Sequence, residues 1–170
     1  MTVPLLAMAL AVVIQASPEP SGVLAIRERY NEVKADLYTS PDIYRTEIHV
    51  NPDDTSYPAL GHFQESIILY WWSRAGESGL VMAVCNGGYA AHNEYTEVLY
   101  GDDGTPQFML FSYSNDPETT FEERRWFRDG AEFHATGKML FPEGEESYEL
   151  LGFNAPRDPE YFLELFELLH

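Results

Sequence analysis

Alternating apolar and polar residues, interrupted by glycine-containing turns, fill the middle of the chain. A strand–turn–strand unit occurs three times, with an aromatic residue before each turn and an apolar strand after it. The glycines that close the three turns, Gly79, Gly104 and Gly130, follow one another at intervals of 25 and 26 residues. Glycine tolerates positive φ, and Asp-Gly pairs suit tight hairpin turns. The pattern therefore predicts an antiparallel meander.

Seven strands follow from this alternation. A turn is expected at Asn86-Gly87-Gly88, because such dipeptides favour hairpins. Residues 141–157 contain two prolines and two glycines and are expected to be irregular. The predicted strands are 43–50, 63–73, 79–86, 90–100, 107–114, 119–129 and 131–138.

The two ends of the chain have helical periodicity instead. Apolar residues at steps of three and four predict a helix over 21–38, with Ser21 as its N-cap. A second helix is expected to start at Asp158, with Pro159 at the first helical position and Glu160 in the first turn. Both helices are amphipathic and should pack on the sheet. The predicted fold is α+β, an antiparallel meander of about seven strands flanked by an N-terminal and a C-terminal helix.

Some strands are apolar on both faces, which is typical of strands that are covered on both sides. Strand 63–73 carries Leu69 and Trp71 on one face and Tyr70 and Trp72 on the other. Two short helices are expected to cover only one face of such a sheet. For the other face we expect either a sheet that curls around its own interior, the simpler hypothesis, or contact with a ligand or partner.

Composition indicates a folded domain with a strongly acidic surface. Apolar residues make up 45% of the 170 residues, and 28 acidic side chains outnumber 10 basic ones, which gives a formal charge of −18. Such a surface repels phosphate backbones, so nucleic acid is not expected as a partner. The single cysteine, Cys85, excludes an intrachain disulfide and lies in an apolar strand, where we expect it to be buried.

The first 16 residues contain no charged side chain and include a continuous apolar run. This run ends at Ala16 and is followed by a polar, proline-containing stretch, a pattern typical of a secretory signal peptide. It is too short to span a membrane. We therefore expect a signal peptide over 1–16, a single domain over 17–170, and export to the periplasm or the extracellular space.

The helix and hairpins resemble a group of small exported bacterial proteins of uncharacterised function, many of which are lipoproteins. The resemblance rests on Ile26, Tyr30 and Val33 in the helix and on hairpins such as 93–101 and 123–130, and it covers about residues 22–140. It implies the same α+β architecture and no activity. This chain departs from the lipoprotein members because no cysteine ends its leader. The hairpins also resemble MORN-like β-repeats.

Catalytic and metal-binding motifs are not recognisable in the sequence. The pairs His92 with Glu94 and His49 with Glu47 each share a strand face, but each supplies only two potential ligands. The chain contains no Gly-x-Ser-x-Gly, phosphate loop or dinucleotide fingerprint. No catalytic residue, metal or cofactor is predicted, and an enzyme, for example a hydrolase that uses scattered carboxylates, is the least favoured class.

Candidate binding residues are aromatic side chains and arginines. Arg124 and Arg125 alternate between the faces of one strand and could form an anion or carboxylate clamp, although cross-strand pairing with acids such as Glu94 or Glu97 would explain them too. Aromatic residues dominate binding hot spots. The aromatic candidates are Trp71, Trp72, Tyr95, Tyr113 and Trp126.

These observations favour a non-enzymatic exported protein that acts as a binding or structural module. Its partner would be a protein or an apolar small molecule. The alternative is a carrier that holds an apolar ligand inside a curled antiparallel sheet.

Overall fold

A computed structural model describes residues 19–58, 61–115, 118–148 and 157–170. Within these residues, eight strands form one antiparallel sheet in which each strand pairs with its neighbour in sequence. The predicted α+β meander with a helix at each end is confirmed. In chain order the elements are α1 Val23–Asp36, β1 Ile43–Val50, β2 Phe63–Arg74, β3 Glu77–Tyr89, β4 Asn93–Tyr100, β5 Pro106–Ser114, β6 Thr120–Arg128, β7 Ala131–Phe141, β8 Gly144–Tyr148 and α2 Pro159–Leu169.

The two helices pack on opposite faces of the sheet, which we call the α1 face and the α2 face. Val23 and Val33 of α1 are buried on the α1 face, in a cluster that includes Met82. Phe162 and Phe166 of α2 are buried in a second cluster on the other face. Within the described residues the strand order runs openly from β1 to β8 without pairing of these two strands, and a helix packs on each face, whereas the sequence predicted helices on only one face.

Helix width explains how one short helix per face can cover the central strands. A helix with its side chains is about 10–12 Å across, whereas neighbouring strands are about 4.8 Å apart. Each helix therefore covers between two and three strands. The buried apolar residues of both clusters are concentrated on β2 to β5, where the strands are apolar on both sides.

Two glycines that suggested turns lie inside β3. A Cβ on Gly87 would come within 2.8 Å of the ring of Tyr89, and one on Gly79 within 2.7 Å of the ring of Trp72. The missing side chains make room for aromatic rings. Because residues 86–88 lie inside β3, the predicted turn at 86–88 was wrong. The β2–β3 turn lies at Ala75 and Gly76, which have φ of 53° and 86°.

The strand count and one helix cap also differ from the predictions. β8 pairs with β7 in a region expected to be irregular, because its acidic sequence lacks the apolar alternation of a half-buried strand. Gly22, at φ 103°, takes the N-cap position of α1 that was assigned to Ser21. The cap of α2 is confirmed, since Asp158 Oδ1 accepts a hydrogen bond from the Tyr161 N–H at 2.8 Å.

Candidate ligand-binding groove

Strand alternation divides the seven candidate binding residues between the two faces. The five aromatic candidates therefore do not form one flat patch. Trp126 is buried, and the other four aromatics are half-buried. The α1 face carries Trp72, Tyr95, Arg124 and Trp126, and the α2 face carries Trp71, Tyr113 and Arg125.

The candidates on the α2 face take part in internal packing. Trp71 stacks on Tyr44 with ring centroids 4.8 Å apart, and its Nε1 donates to Thr46 Oγ1 at 3.1 Å. Its ring also lies 4.1 Å from that of His170, at the end of α2. Tyr113 packs on the ring of His92 at 5.0 Å. Trp71 thus connects the end of α2 to β1.

Arg125 neutralises a buried carboxylate on the same strand. Its Nη2 lies 2.9 Å from Glu123 Oε2, and its Nη1 lies 3.5 Å from Glu132 Oε2. Glu123 is only 2% exposed. An unpaired charge at such a site would be costly, so this arginine has a structural role in the described part of the chain.

Arg124 and Trp126, on the α1 face, line a groove between α1 and the sheet. Its volume is about 270 Å³, just below the ~300–1,000 Å³ typical of small-molecule sites. Arg27, Tyr30 and Asn31 of α1 form one wall. The floor is formed by Phe108, Leu110, Arg124 and Trp126.

Sequence spacing and strand register bring these residues together. Positions i, i+3 and i+4 of a helix lie on one side, which places the three α1 residues in one wall. Phe108 pairs with Trp126 and Leu110 pairs with Arg124 across β5 and β6. The floor is therefore a two-by-two array, with an aromatic pair at one end and a leucine–arginine pair at the other.

The aromatic end of the floor is closely packed. The rings of Phe108 and Trp126 lie 5.4 Å apart, and Tyr30 makes an edge contact with Phe108 at 5.1 Å. Trp126 is 4% exposed, and among the described residues its Nε1 has no hydrogen-bond partner. A buried donor without an acceptor costs about 1–3 kcal/mol. The ring of Trp126 thus lines the groove, while its N–H is buried out of contact with solvent.

The charged side chains among the described lining residues of the groove are two arginines, each paired with a glutamate. Arg27 pairs with Glu19, and Arg124 Nη2 lies 2.8 Å from Glu122 Oε1. Both arginine side chains are more than 40% exposed, and neither glutamate is among the lining residues. Two other grooves differ from this one because carboxylates line them. The first lies beside Trp72, on the other side of α1, and contains Asp36, Glu77 and Asp102. The second contains Glu65.

A buried glutamate beside the groove holds α1 on the sheet. Glu97 is 2% exposed and accepts hydrogen bonds from the hydroxyls of Tyr30 and Tyr95. Lys34 Nζ lies 2.6 Å from Glu97 Oε1. Burial, together with the hydrogen bond to this carboxylate and its charge, raises the pKa of Tyr30 and Tyr95 above the ordinary value. Both hydroxyls therefore remain protonated donors, and the Tyr30 wall is held in place.

Other reactive groups do not assemble into a catalytic or metal site within the described ranges. Cys85 is buried as predicted, and burial raises its pKa to about 12, so it remains a thiol at neutral pH. His92 Nε2 lies 2.9 Å from Glu94 Oε1. Among the residues whose placement is described, no three His, Cys, Asp or Glu side chains are grouped to hold a metal ion. Likewise, no described helix is long and apolar enough to cross a membrane.

Sequence reasoning found two of the seven groove residues. It missed the wall on α1 because Tyr30 follows the same apolar stripe as the core residues. Arg27 and Asn31 look like ordinary surface positions until the direction in which α1 lies on the sheet is known. The sequence did contain one signal for the groove: on β6, the cationic Arg124 is followed two residues later by the aromatic Trp126.

Comparison with known proteins adds no functional information. No family model, no curated protein and no solved structure matches this chain.

Proposed function

We propose that this protein is a non-enzymatic binding module that holds a small ligand in the groove between α1 and the sheet. The observation that carries this proposal is the groove itself, which combines an aromatic floor with two exposed guanidinium groups. Small-molecule sites are typically concave and largely apolar, with a few polar groups that orient the ligand. The groove has this composition.

Preorganisation of the groove supports the proposal. Both Tyr30 and the sheet below it are held by the buried Glu97 carboxylate, so a ligand would meet walls that are already in position. A preformed site avoids much of the ordering cost of binding. The groove differs from the interior of a carrier, because it is open at the surface and lies outside the sheet.

Blocking the groove should weaken binding at least tenfold. Asn31 is exposed on the wall, so Asn31→Trp should fill the groove without disturbing the core. In a fragment screen followed by amide NMR, hits should shift the resonances of Leu110 and Trp126. We expect Asn31→Trp to weaken these hits by about tenfold or more, which corresponds to ~1.4 kcal/mol.

Glu28→Trp provides the matched control, because Glu28 is exposed on the same helix and does not line the groove. It should bind the hits like the unchanged protein. The proposal fails if the hits shift resonances elsewhere, or if Asn31→Trp and Glu28→Trp bind equally well.

The proposed place of action is the periplasm or the extracellular space. Support comes from the apolar, uncharged run over 1–16, which lies outside the described residues. Cleavage after Ala16 would leave the Glu19–Arg27 pair at the groove intact. When the full chain is expressed in an exporting bacterial host, mass spectrometry of the periplasmic fraction should show a chain that begins at Ser17. Recovery of only the uncleaved chain in the cytoplasm would contradict export.

A further inference from the structure

We infer that the ligand of this groove is a small organic monoanion, a carboxylate attached to a planar apolar body. This inference deepens the proposed function and rests on it. Two features carry it: the charge of the lining residues and the arrangement of the floor.

The lining charge is opposite to that of the whole chain. Acidic residues outnumber basic ones by 28 to 10, yet the groove contains two arginines, and no acidic residue is among its described lining. Arginine presents a planar fork of donors that matches a carboxylate or a phosphate. Two arginines in the lining of a groove on an acidic protein favour an anion as the ligand of that groove.

The floor separates the charged group of a ligand from its apolar part. Phe108 and Trp126 form the aromatic end, and Leu110 and Arg124 lie two residues away along their strands. Two residues of a strand correspond to about 7 Å. A ligand with a ring over the aromatic pair would therefore place an anionic group that far away, near Arg124.

The charge of the whole chain separates a carboxylate from a phosphate. The net charge of −18 repels a dianion more strongly than a monoanion. For this reason we assign a carboxylate rather than a phosphate.

The test compares two nearly isosteric probes, 2-naphthoate and neutral 2-naphthamide, by isothermal titration calorimetry. We expect 2-naphthoate to bind at least tenfold more tightly than 2-naphthamide. Arg124→Met and Arg27→Met should each weaken 2-naphthoate by about fivefold or more and should weaken 2-naphthamide by a smaller factor. Arg74→Met is the control, because Arg74 lies in the groove that contains carboxylates, and it should change neither affinity.

The location of the probe is read from the three indole N–H resonances. 2-Naphthoate should shift the Trp126 resonance most, whereas Trp71, whose N–H already donates to Thr46, should change least. Equal or tighter binding of 2-naphthamide in the groove would overturn the carboxylate assignment and leave the proposed function standing. Binding of 2-naphthoate that survives both arginine variants, or no binding of either probe, would also overturn the assignment. The proposed function itself would be contradicted only by the fragment screen with Asn31→Trp and Glu28→Trp.

Discussion

Glu97→Gln is expected to lower the free energy of unfolding by about 2–3 kcal/mol. The carboxylate is buried and accepts from three donors, the hydroxyls of Tyr30 and Tyr95 and the ammonium of Lys34. Glutamine keeps the shape but loses the charge, and its NH₂ group would face donors instead of acceptors. Urea denaturation followed by tryptophan fluorescence measures the loss. Lys34→Met should also destabilise the protein, because it leaves the buried Glu97 carboxylate without its cation.

Glu47→Gln is the matched control for this prediction. Glu47 also lies on a strand and pairs with Arg45, but it is 28% exposed, and surface ion pairs contribute only about 0–1 kcal/mol. If Glu97→Gln and Glu47→Gln destabilise the protein equally, Glu97 does not anchor α1. The Tyr30 wall of the groove would then lack the support on which preorganisation depends.

The elements that the sequence predicted well are those that local rules decide. The sequence of β1, Ile43–Val50, alternates charged or histidine side chains with uncharged ones from Tyr44 onward, and the predicted limits match the structure. The start of α2 was readable because an Asp cap followed by proline is a local signal. Gly87 shows where local rules fail, since its sequence favours a turn but the residue pairs with Glu65 of β2 and Glu94 of β4 inside the sheet.

The groove depends on information that strand and helix patterns do not contain. The strand register that pairs Phe108 with Trp126 follows from the β5–β6 hairpin. The position of α1 on the sheet depends on long-range contacts such as Lys34 with Glu97, which are 63 residues apart. For the same reason, the sequence patterns did not predict that one helix packs on each face of the sheet.

Phe162→Ala is expected to cost about 3–5 kcal/mol, because Phe162 is completely buried between α2 and the sheet. Domains of this kind are stable by only about 5–15 kcal/mol, so the loss is a large fraction of the total. Chemical denaturation measures it, and hydrogen exchange should show faster exchange of β2 to β4 amides. Leu168→Ala is the control, since Leu168 lies on the same helix but is 81% exposed, and it should change stability by less than about 0.5 kcal/mol.

This comparison distinguishes two ways of covering the α2 face. If α2 is the cover, the loss of Phe162 opens a cavity above Leu69 and Val98, and the other contacts of the helix cannot compensate. Those contacts include the Tyr100 hydroxyl, which donates to the Pro159 carbonyl at 2.8 Å, and the Arg157–Glu65 ion pair at 2.9 Å. A cost of less than 1 kcal/mol would mean that the sheet covers this face without α2, as the curled arrangement requires.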